Sequence, residues 1–482
     1  MRFSYSIRLL AVILGAGLTL AAQNDSQNDQ DQGTAPTPAP AFGQNAPILS
    51  PENPPISGID EPRLDLRRAL RSYVSAGFGV SETGDTNPNN TLGNATVLRS
   101  VTRVAGAADL QRFWSKSDLF AEYLGGGGFY ERGISDTRQL HAVGLMGVTR
   151  WRTGQAAIRD SFSYLPEGSF EAGGFGGGVG LDLAKSGGLG IPGGGIPGLR
   201  LFGGNQFSSF GLIPRVSNRM VGDIVQSLSP RSAVTLAGGY SFSHFLEDQD
   251  ILFNSQQLTI EGGYSYMLNR RDQVAAVVAF QEFRFPQSSD GKIDAYAMNA
   301  RWARTLTGRM RIMVSAGPQY TSIYQQAIPF LVGSSQDRHL GLSARASLTY
   351  ALPRSRLSAN YEKFTTEGSG IFAGASTQLA RATWARSLTR SWEMLLDTGY
   401  AHEERLGFAS KGFGGKTSNT GFVGAALRRH LGRSWGAFAE YRFNETGLDA
   451  PFCNNVSGCG RISTRNRLTI GVDWHTRPYR IE

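Results

Sequence analysis

Apolar and polar residues alternate at every second position along most of the chain beyond about residue 71. In one segment Tyr296, Met298 and Trp302 are apolar, whereas Asn299 and Arg301 between them are polar. A period of two places successive side chains on opposite faces of a sheet. The sequence therefore predicts all-β structure made of strands with one apolar and one polar face.

Short turns join these strands in pairs, and each turn contains a Leu, one or two turn residues and an Arg. The turns are Leu228-Ser229-Pro230-Arg231, Leu268-Asn269-Arg270-Arg271, Leu306-Thr307-Gly308-Arg309, Leu352-Pro353-Arg354, Leu388-Thr389-Arg390 and Leu431-Gly432-Arg433. Their Leu residues are separated by 40, 38, 46, 36 and 43 residues. A propeller blade has a similar period but is divided into four shorter strands. The length of each half-unit suits a tilted membrane strand, which needs at least about 9–11 residues.

The strand pattern continues toward the N-terminus, where it is less regular. The candidate strands there are 72–81, 96–112, 117–131, 138–151 and 156–165. With the later pairs and a last strand, we expect a transmembrane antiparallel β-barrel of about 18 strands (range roughly 16–18), and an even number places both termini on the periplasmic side. Longer outward loops are expected around 82–95, 245–254, 284–292, 324–337, 402–416 and 446–462.

Aromatic residues fall into two sets along the apolar face. One set lies four residues from a turn Leu and contains Trp302, Trp384, Trp392 and Trp435. The other set lies twelve residues after a turn Leu and contains Tyr240, Phe280, Phe364, Tyr400 and Phe443. An eight-residue gap spans about 26 Å of strand, or roughly 20 Å along the membrane normal after tilting, close to the apolar band between the aromatic girdles of such barrels. Arg304, Arg386 and Arg429 lie beside the turns on the same face, where a long side chain reaches the headgroups.

These features resemble the porin-like outer-membrane β-barrels of Gram-negative bacteria, over about residues 71–476. The last strand resembles the C-terminal signal that the barrel-assembly machinery reads, with Thr469, Gly471 and Trp474 in the expected order. The chain departs from that signal because it continues from Arg477 to Glu482 instead of ending on an aromatic residue. The resemblance implies an outer-membrane location, contact with outer-membrane lipid, and delivery by periplasmic export and barrel-assembly machinery, and it leaves the oligomeric state open.

The N-terminus has the pattern of an export signal. Residues 1–22 combine Arg2 and Arg8 with an apolar run that is too short to span a membrane, followed by Ala21 and Ala22 as a cleavage site. Residues 23–70 are polar and Pro-rich, which predicts a periplasmic segment without a packed core, with a possible short helix over 60–70. The barrel then occupies 71–482.

Composition agrees with strands rather than membrane helices. Charged residues are 18% of the chain and Gly contributes 61 residues, whereas an average protein has about 25% charged residues. The net charge is +9, but the Arg residues are dispersed singly, which argues against a nucleic-acid partner.

The charged residues of the polar face are candidates to line a lumen. They are Arg219, Asp223, Glu261, Arg301, Arg311, Arg345, Glu362, Arg381, Glu393, Asp397, Arg428, Glu440 and Arg442. An Arg-rich lumen predicts passive diffusion of small polar solutes with a weak preference for anions. The alternative is a non-conducting structural or surface-binding barrel that acts through its loops. In either case the Gly-rich segment 171–213 is an outer loop, which either folds inward and narrows the pore or stays at the surface.

The sequence contains no pattern typical of an enzyme or of a metal site. The 6 His residues are scattered without ligand spacing, and paired carboxylates are not evident. We therefore expect no catalytic residue, metal or cofactor, although enzymes built on outer-membrane barrels keep that possibility open. Cys453 and Cys459 lie in a turn-rich stretch, which in an exported protein predicts a small loop disulfide rather than half of a metal site.

Overall fold

A computed structural model gives the structure of a single antiparallel sheet that closes on itself. The residues it describes are 72–87, 98–130, 138–165, 215–246, 253–286, 291–325, 335–352, 354–366, 372–407, 415–432, 434–449, 462–477 and 479–481. The segments 1–22 and 23–70, the Gly-rich segment 171–213 and both cysteines lie outside these ranges, so the predictions made for them remain predictions. None of the described residues belongs to a helix long and apolar enough to cross a membrane.

Eighteen long strands and one short strand make up the sheet. They are β1 (Tyr73–Asp85), β2 (Arg99–Phe113), β3 (Ser117–Tyr130), β4 (Arg138–Trp151), β5 (Gly154–Leu165), β6 (Arg215–Ser229), β7 (Ser232–Phe245), β8 (Ser255–Met267), β9 (Asp272–Phe285), β10 (Gly291–Thr307), β11 (Met310–Gln325), β12 (Ser335–Leu352), β13 (Ser355–Thr366), β14 (Ala375–Ser387), β15 (Trp392–Arg405), β16 (Thr417–Leu431), β17 (Trp435–Leu448), β18 (Ile462–His475) and β19 (Tyr479–Arg480).

Each long strand pairs with its neighbours in sequence, and β18 pairs with β1 to complete the barrel. In this seam Gly77 lies opposite His475 and Asp85 lies opposite Arg467. The short β19 lengthens the seam, because Tyr73 lies opposite Arg480. The all-β fold class and the expected 18-stranded barrel are confirmed.

The repeated turns join the strands at one end of the barrel. The N–H of Leu388 donates to the carbonyl of Trp392 at 2.9 Å, and the N–H of Leu268 donates to the carbonyl of Asp272 at 3.0 Å, so two repeats form the same turn. Gly432 has a φ of 79°, a left-handed conformation that favours glycine. The strand ends that lead into the longer connections, such as Asp85 and Arg99, lie at the opposite end, whereas Tyr73 and His475 lie at the turn end.

Several strands extend further than the alternation predicts. β1 ends at Asp85, β15 at Arg405 and β17 at Leu448, whereas the sequence assigned these residues to the loops 82–95, 402–416 and 446–462. Polar residues occupy both faces near these ends, so the alternation fades there. Backbone pairing continues, because a strand ladder needs N–H and C=O groups rather than apolar side chains.

The barrel exposes its apolar side chains and buries its polar ones, which is the reverse of a water-soluble protein. In β10 the outward residues Tyr296, Met298 and Trp302 are exposed, whereas Asn299 and Arg301 are buried on the inner face. The long strands follow this alternation over most of their length, although some inward residues, such as Phe283 and Met146, are large and apolar. An apolar surface that surrounds the molecule needs an apolar environment, which a lipid bilayer supplies.

Phe364 corrects one prediction about the aromatic residues. The count of twelve residues from a turn places it with the outer aromatics, but its side chain lies on the inner face and is 5% exposed. It packs against Leu379, Ala401 and Phe422. Distance from a turn sets the height of a residue along the barrel, while odd or even position sets its face, and Phe364 shares its face with Glu362.

Gly317 of β11 lies against the backbone of β10, which leads to a stability prediction. A Cβ at Gly317 would overlap the carbonyl oxygen of Met298 and lie 2.8 Å from the Cα of Asn299. We expect Gly317→Ala to lower the free energy of unfolding by about 1–3 kcal/mol, the usual cost of overpacking. Urea unfolding in detergent micelles measures this change. The control is Gly421→Ala in β16, where a Cβ meets nothing within 4 Å, and equal losses for the two variants would contradict the prediction.

Candidate functional site: the inner wall of the barrel

The structure places all the predicted lumen residues on the inner face. Arg219 and Asp223 lie on β6, Glu261 on β8, Arg301 on β10, Arg311 on β11, Arg345 on β12, Glu362 on β13, Arg381 on β14, Glu393 and Asp397 on β15, Arg428 on β16, and Glu440 and Arg442 on β17. They do not converge on one point. They are distributed around the wall, and cross-strand ion pairs organise many of them locally.

Arg381 and Asp397 form a two-pronged ion pair between β14 and β15. Arg381 Nε donates to Asp397 Oδ1 at 2.8 Å, and Nη2 donates to Oδ2 at 2.7 Å. The Arg381 guanidinium also lies 5.9 Å from the ring of Phe422. Both charged side chains are buried, so each holds the other in place on the wall.

A row of charges continues from this pair toward the seam. Each residue of the row lies opposite the next one on the neighbouring strand. The row begins at Asp397 and continues through Gly424, Arg442, Arg467 and Asp85. Arg442 and Arg467 lie directly opposite each other. Glu440 precedes Arg442 by two residues on the same face of β17. This row therefore places two neighbouring arginines between the carboxylates of Asp397 and Asp85.

An ion pair between Arg465 of β18 and Asp85 of β1 stabilises the seam. Arg465 Nε donates to Asp85 Oδ1 at 3.0 Å and to Oδ2 at 2.8 Å, and Nη2 contacts Oδ2 as well. Both residues are buried. The pair was not predicted, because the alternation places the end of β1 before Asp85 and the last strand resembles an assembly signal.

Further pairs fix charges elsewhere on the wall. Arg345 Nε lies 3.1 Å from Glu362 Oε1 between β12 and β13, and Arg428 Nη2 lies 2.7 Å from Asp473 Oδ2 across β17. Arg159 of β5 contacts Asp223 of β6. Arg159 and Asp473 were not predicted, although both occupy inward positions in strands that alternate.

The cations of the inner wall are arginines. Among inward-facing side chains that the structure describes they are Arg99, Arg103, Arg150, Arg159, Arg215, Arg219, Arg301, Arg311, Arg345, Arg356, Arg381, Arg405, Arg428, Arg442, Arg465 and Arg467. The corresponding carboxylates are fewer and are Asp85, Asp109, Asp118, Asp223, Glu261, Asp337, Glu362, Glu393, Asp397, Glu403, Glu440 and Asp473. The strand lysines Lys292 and Lys363 both lie on the outer face. The wall is thus weakly cationic, with guanidinium groups that favour planar oxyanions.

Apolar side chains interrupt the inner wall, which the sequence did not predict. Near the loop end, Phe283, Phe285, Ile293, Ile323 and Ala373 form a buried cluster. Phe364, Leu379, Ala401 and Phe422 form another. These clusters bring apolar surface into an otherwise polar interior.

The outer wall carries the predicted girdle residues at two heights. Tyr240, Phe280, Trp302, Trp384, Trp392, Tyr400, Trp435 and Phe443 all lie on outward positions. Phe280 contacts Tyr296 with ring centroids 5.0 Å apart, and Tyr296 contacts Tyr320 at 6.3 Å. Tyr296, Tyr320 and Trp474 extend the girdles beyond the prediction, and period-two alternation alone would have found them.

The described part of the chain contains no group of three His, Cys, Asp or Glu residues arranged to hold a metal ion.

Comparison with known proteins finds solved structures that match the chain at low sequence identity. No family model and no curated protein sequence matches the chain. OccK2 (OpdF) of Pseudomonas aeruginosa is 9% identical, with 84% of this chain and 98% of that chain covered and a TM-score of 0.39. OccAB3 of Acinetobacter baumannii is 12% identical, with 85% and 99% covered and a TM-score of 0.39. The ferric-catecholate import receptor Fiu of E. coli K12 is 7% identical, with 85% and 82% covered and a TM-score of 0.41.

Proposed function

We propose that the chain forms a porin-like channel in the outer membrane, through which small polar solutes diffuse passively with a weak preference for anions. The observation that carries this proposal is the closed barrel with an apolar outer wall and an Arg-rich inner wall. Barrels with 16–18 strands are wide enough to leave an aqueous passage.

The charges of the inner wall explain why we expect only a weak preference for anions. Arginines outnumber carboxylates on the described inner wall, so the mean potential there favours anions. Pairs such as Arg381 with Asp397 and Arg345 with Glu362 cancel much of each charge locally. The remaining excess is spread around the wall, so we expect it to bias ion passage without excluding cations.

The proposed orientation follows from the two ends of the barrel. Barrels of this kind have short periplasmic turns and longer external loops. The short turns and the strand ends Tyr73 and His475 share one end, which we assign to the periplasm. Export through residues 1–22 and a periplasmic segment over 23–70 are part of the same proposal.

Neutralising inner arginines is expected to reduce the anion preference. In planar bilayers under a KCl gradient, the reversal potential of Arg219→Gln/Arg301→Gln should move toward cation preference relative to the unchanged protein, because two inner positive charges are lost. The control is Arg338→Gln, an exposed residue on the outer face of β12, which should leave the reversal potential unchanged. Clear cation selectivity of the unchanged protein would contradict the proposed preference.

A second candidate is a barrel whose interior is filled and which does not conduct. The burial of the inner charges favours it, since Arg442 is 2% exposed and Glu261 is 0% exposed. Side chains that line an open aqueous passage remain hydrated. In this candidate the loops would bind partners at the cell surface, and the inner pairs would serve stability alone.

A further inference from the structure

The outer wall contains the same four-residue motif twice, at the same height beside the turns. Trp302-Ala303-Arg304-Thr305 lies on β10, and Trp384-Ala385-Arg386-Ser387 lies on β14. In each copy the indole N–H donates to the first residue of the preceding strand. Trp302 Nε1 donates to Asp272 Oδ1 at 3.1 Å, and Trp384 Nε1 donates to Ser355 Oγ at 2.6 Å. The two sites therefore share one geometry.

The two copies differ in the charge next to the arginine. Asp272 lies opposite Arg304, with 3.8 Å between the carboxylate and Arg304 Nε, so the arginine of the first copy has a carboxylate partner. We call this first copy the balanced copy. Ser355 lies opposite Arg386 and brings no charge. Arg386 is exposed, and its guanidinium lies 5.9 Å from the Trp384 ring. No carboxylate of the described residues lies within ion-pair distance of it.

A second uncompensated arginine lies two strands away. Arg429 on β16 is opposite Trp392 on β15, and its guanidinium lies 5.4 Å from the centre of that ring. Strand spacing and rise place the Cα atoms of Arg386 and Arg429 about 12 Å apart, with Trp392 between them. On the outer face of β13–β18 near the turns, the described residues include no Asp or Glu. We call Trp384, Arg386, Trp392 and Arg429 the Trp–Arg patch.

We infer that the Trp–Arg patch binds the headgroup of an anionic phospholipid, phosphatidylglycerol, in the leaflet next to the turns. This inference rests on the proposed membrane location. A guanidinium forms strong two-pronged hydrogen bonds with a phosphate, and tryptophan rings settle at the headgroup level. A zwitterionic headgroup adds an ammonium, which needs an acidic partner. The balanced copy offers Asp272 for that role, and the Trp–Arg patch offers only arginines.

Lipid retention by the purified full-length protein tests this selectivity. Native mass spectrometry in detergent, with equal amounts of phosphatidylglycerol and phosphatidylethanolamine of matched acyl chains, measures which lipid stays bound. Each arginine near a membrane surface contributes about fivefold in affinity for an anionic lipid. We therefore expect Arg386→Gln/Arg429→Gln to lower the preference for phosphatidylglycerol roughly 25-fold. An unchanged preference in this variant would overturn the inference.

The two copies of the motif supply matched controls. Ser355→Asp rebuilds the balanced copy and should lower the phosphatidylglycerol preference about fivefold, whereas Asp272→Ser should add a second anionic-lipid site. Arg304→Gln, at an arginine already paired with Asp272, should leave the preference unchanged, and a loss as large as that in Arg386→Gln/Arg429→Gln would count against the patch. Mobility on unheated SDS gels verifies that each variant is folded.

Conductance separates this inference from the proposed function. Arg386→Gln/Arg429→Gln changes only outward side chains, so its channel conductance should equal that of the unchanged protein. Selective lipid retention by a protein that does not conduct would overturn the channel and leave the lipid site standing. Conduction without selective retention would overturn the lipid site alone.

Discussion

Replacing Asp397 with alanine is expected to lower the free energy of unfolding by about 3–5 kcal/mol, the usual cost of removing one partner from a buried ion pair. Asp397 accepts hydrogen bonds at 2.8 Å and 2.7 Å from Arg381. It also lies in one row with Arg442 on the inner wall. The variant thus removes this carboxylate from the buried guanidinium groups of Arg381 and Arg442. Urea unfolding of the protein in lipid vesicles, followed by tryptophan fluorescence, measures the change.

The matched control is Glu282→Gln on β9. Glu282 contacts Arg284, which is 62% exposed, and Lys292, which is 35% exposed. Such exposed pairs contribute roughly 0–1 kcal/mol. If Asp397→Ala and Glu282→Gln lose the same stability, the inner-wall pairs do not hold the barrel together as described.

Replacing Asp85 with alanine is expected to weaken the closure of the barrel, again by about 3–5 kcal/mol. Arg465 Nε donates to both oxygens of Asp85, at 3.0 Å and 2.8 Å, across the seam between the last and the first long strand. Because these strands meet only when the barrel closes, we expect the variant to yield a smaller fraction of protein with folded mobility on unheated SDS gels.

Glu82→Gln provides the comparison on the same strand. Glu82 lies on the outer face of β1, where Thr102 Oγ1 donates to it at 2.6 Å and Ser100 contacts it as well. Its partners are exposed hydroxyl groups, so we expect a loss of about 1 kcal/mol or less. A closed fraction as low for Glu82→Gln as for Asp85→Ala would show that the seam depends on the whole strand rather than on the Arg465 contact.

The barrel and its two faces were predictable because each depends on local patterns. Alternation around Arg301 and Trp302 distinguishes the inner face from the outer face wherever one face is apolar. The Leu-Arg turns locate the strand ends, since a turn such as Leu388 to Arg390 depends on residues close in sequence. The same two signals place Trp384 and Tyr400 on the outer face at different heights.

The contacts inside the barrel were not predictable in this way. Arg465 and Asp85 are 380 residues apart in sequence, and their contact depends on the register in which the barrel closes. Arg381 faces Asp397 diagonally, because the residue directly opposite Arg381 is Gly399. The inward position of Phe364 follows from its parity, but only packing with Leu379 and Phe422 explains why an aromatic ring is stable there.

Single-channel recording from the full-length protein in planar lipid bilayers shows whether the barrel is an open channel. We expect discrete conductance steps with a weak anion preference, carried by a protein whose mobility on unheated SDS gels shows a folded barrel. The contradicting result is a folded and inserted protein that gives no conductance, which would mean that the arginines and phenylalanines of the inner wall belong to a filled, non-conducting barrel.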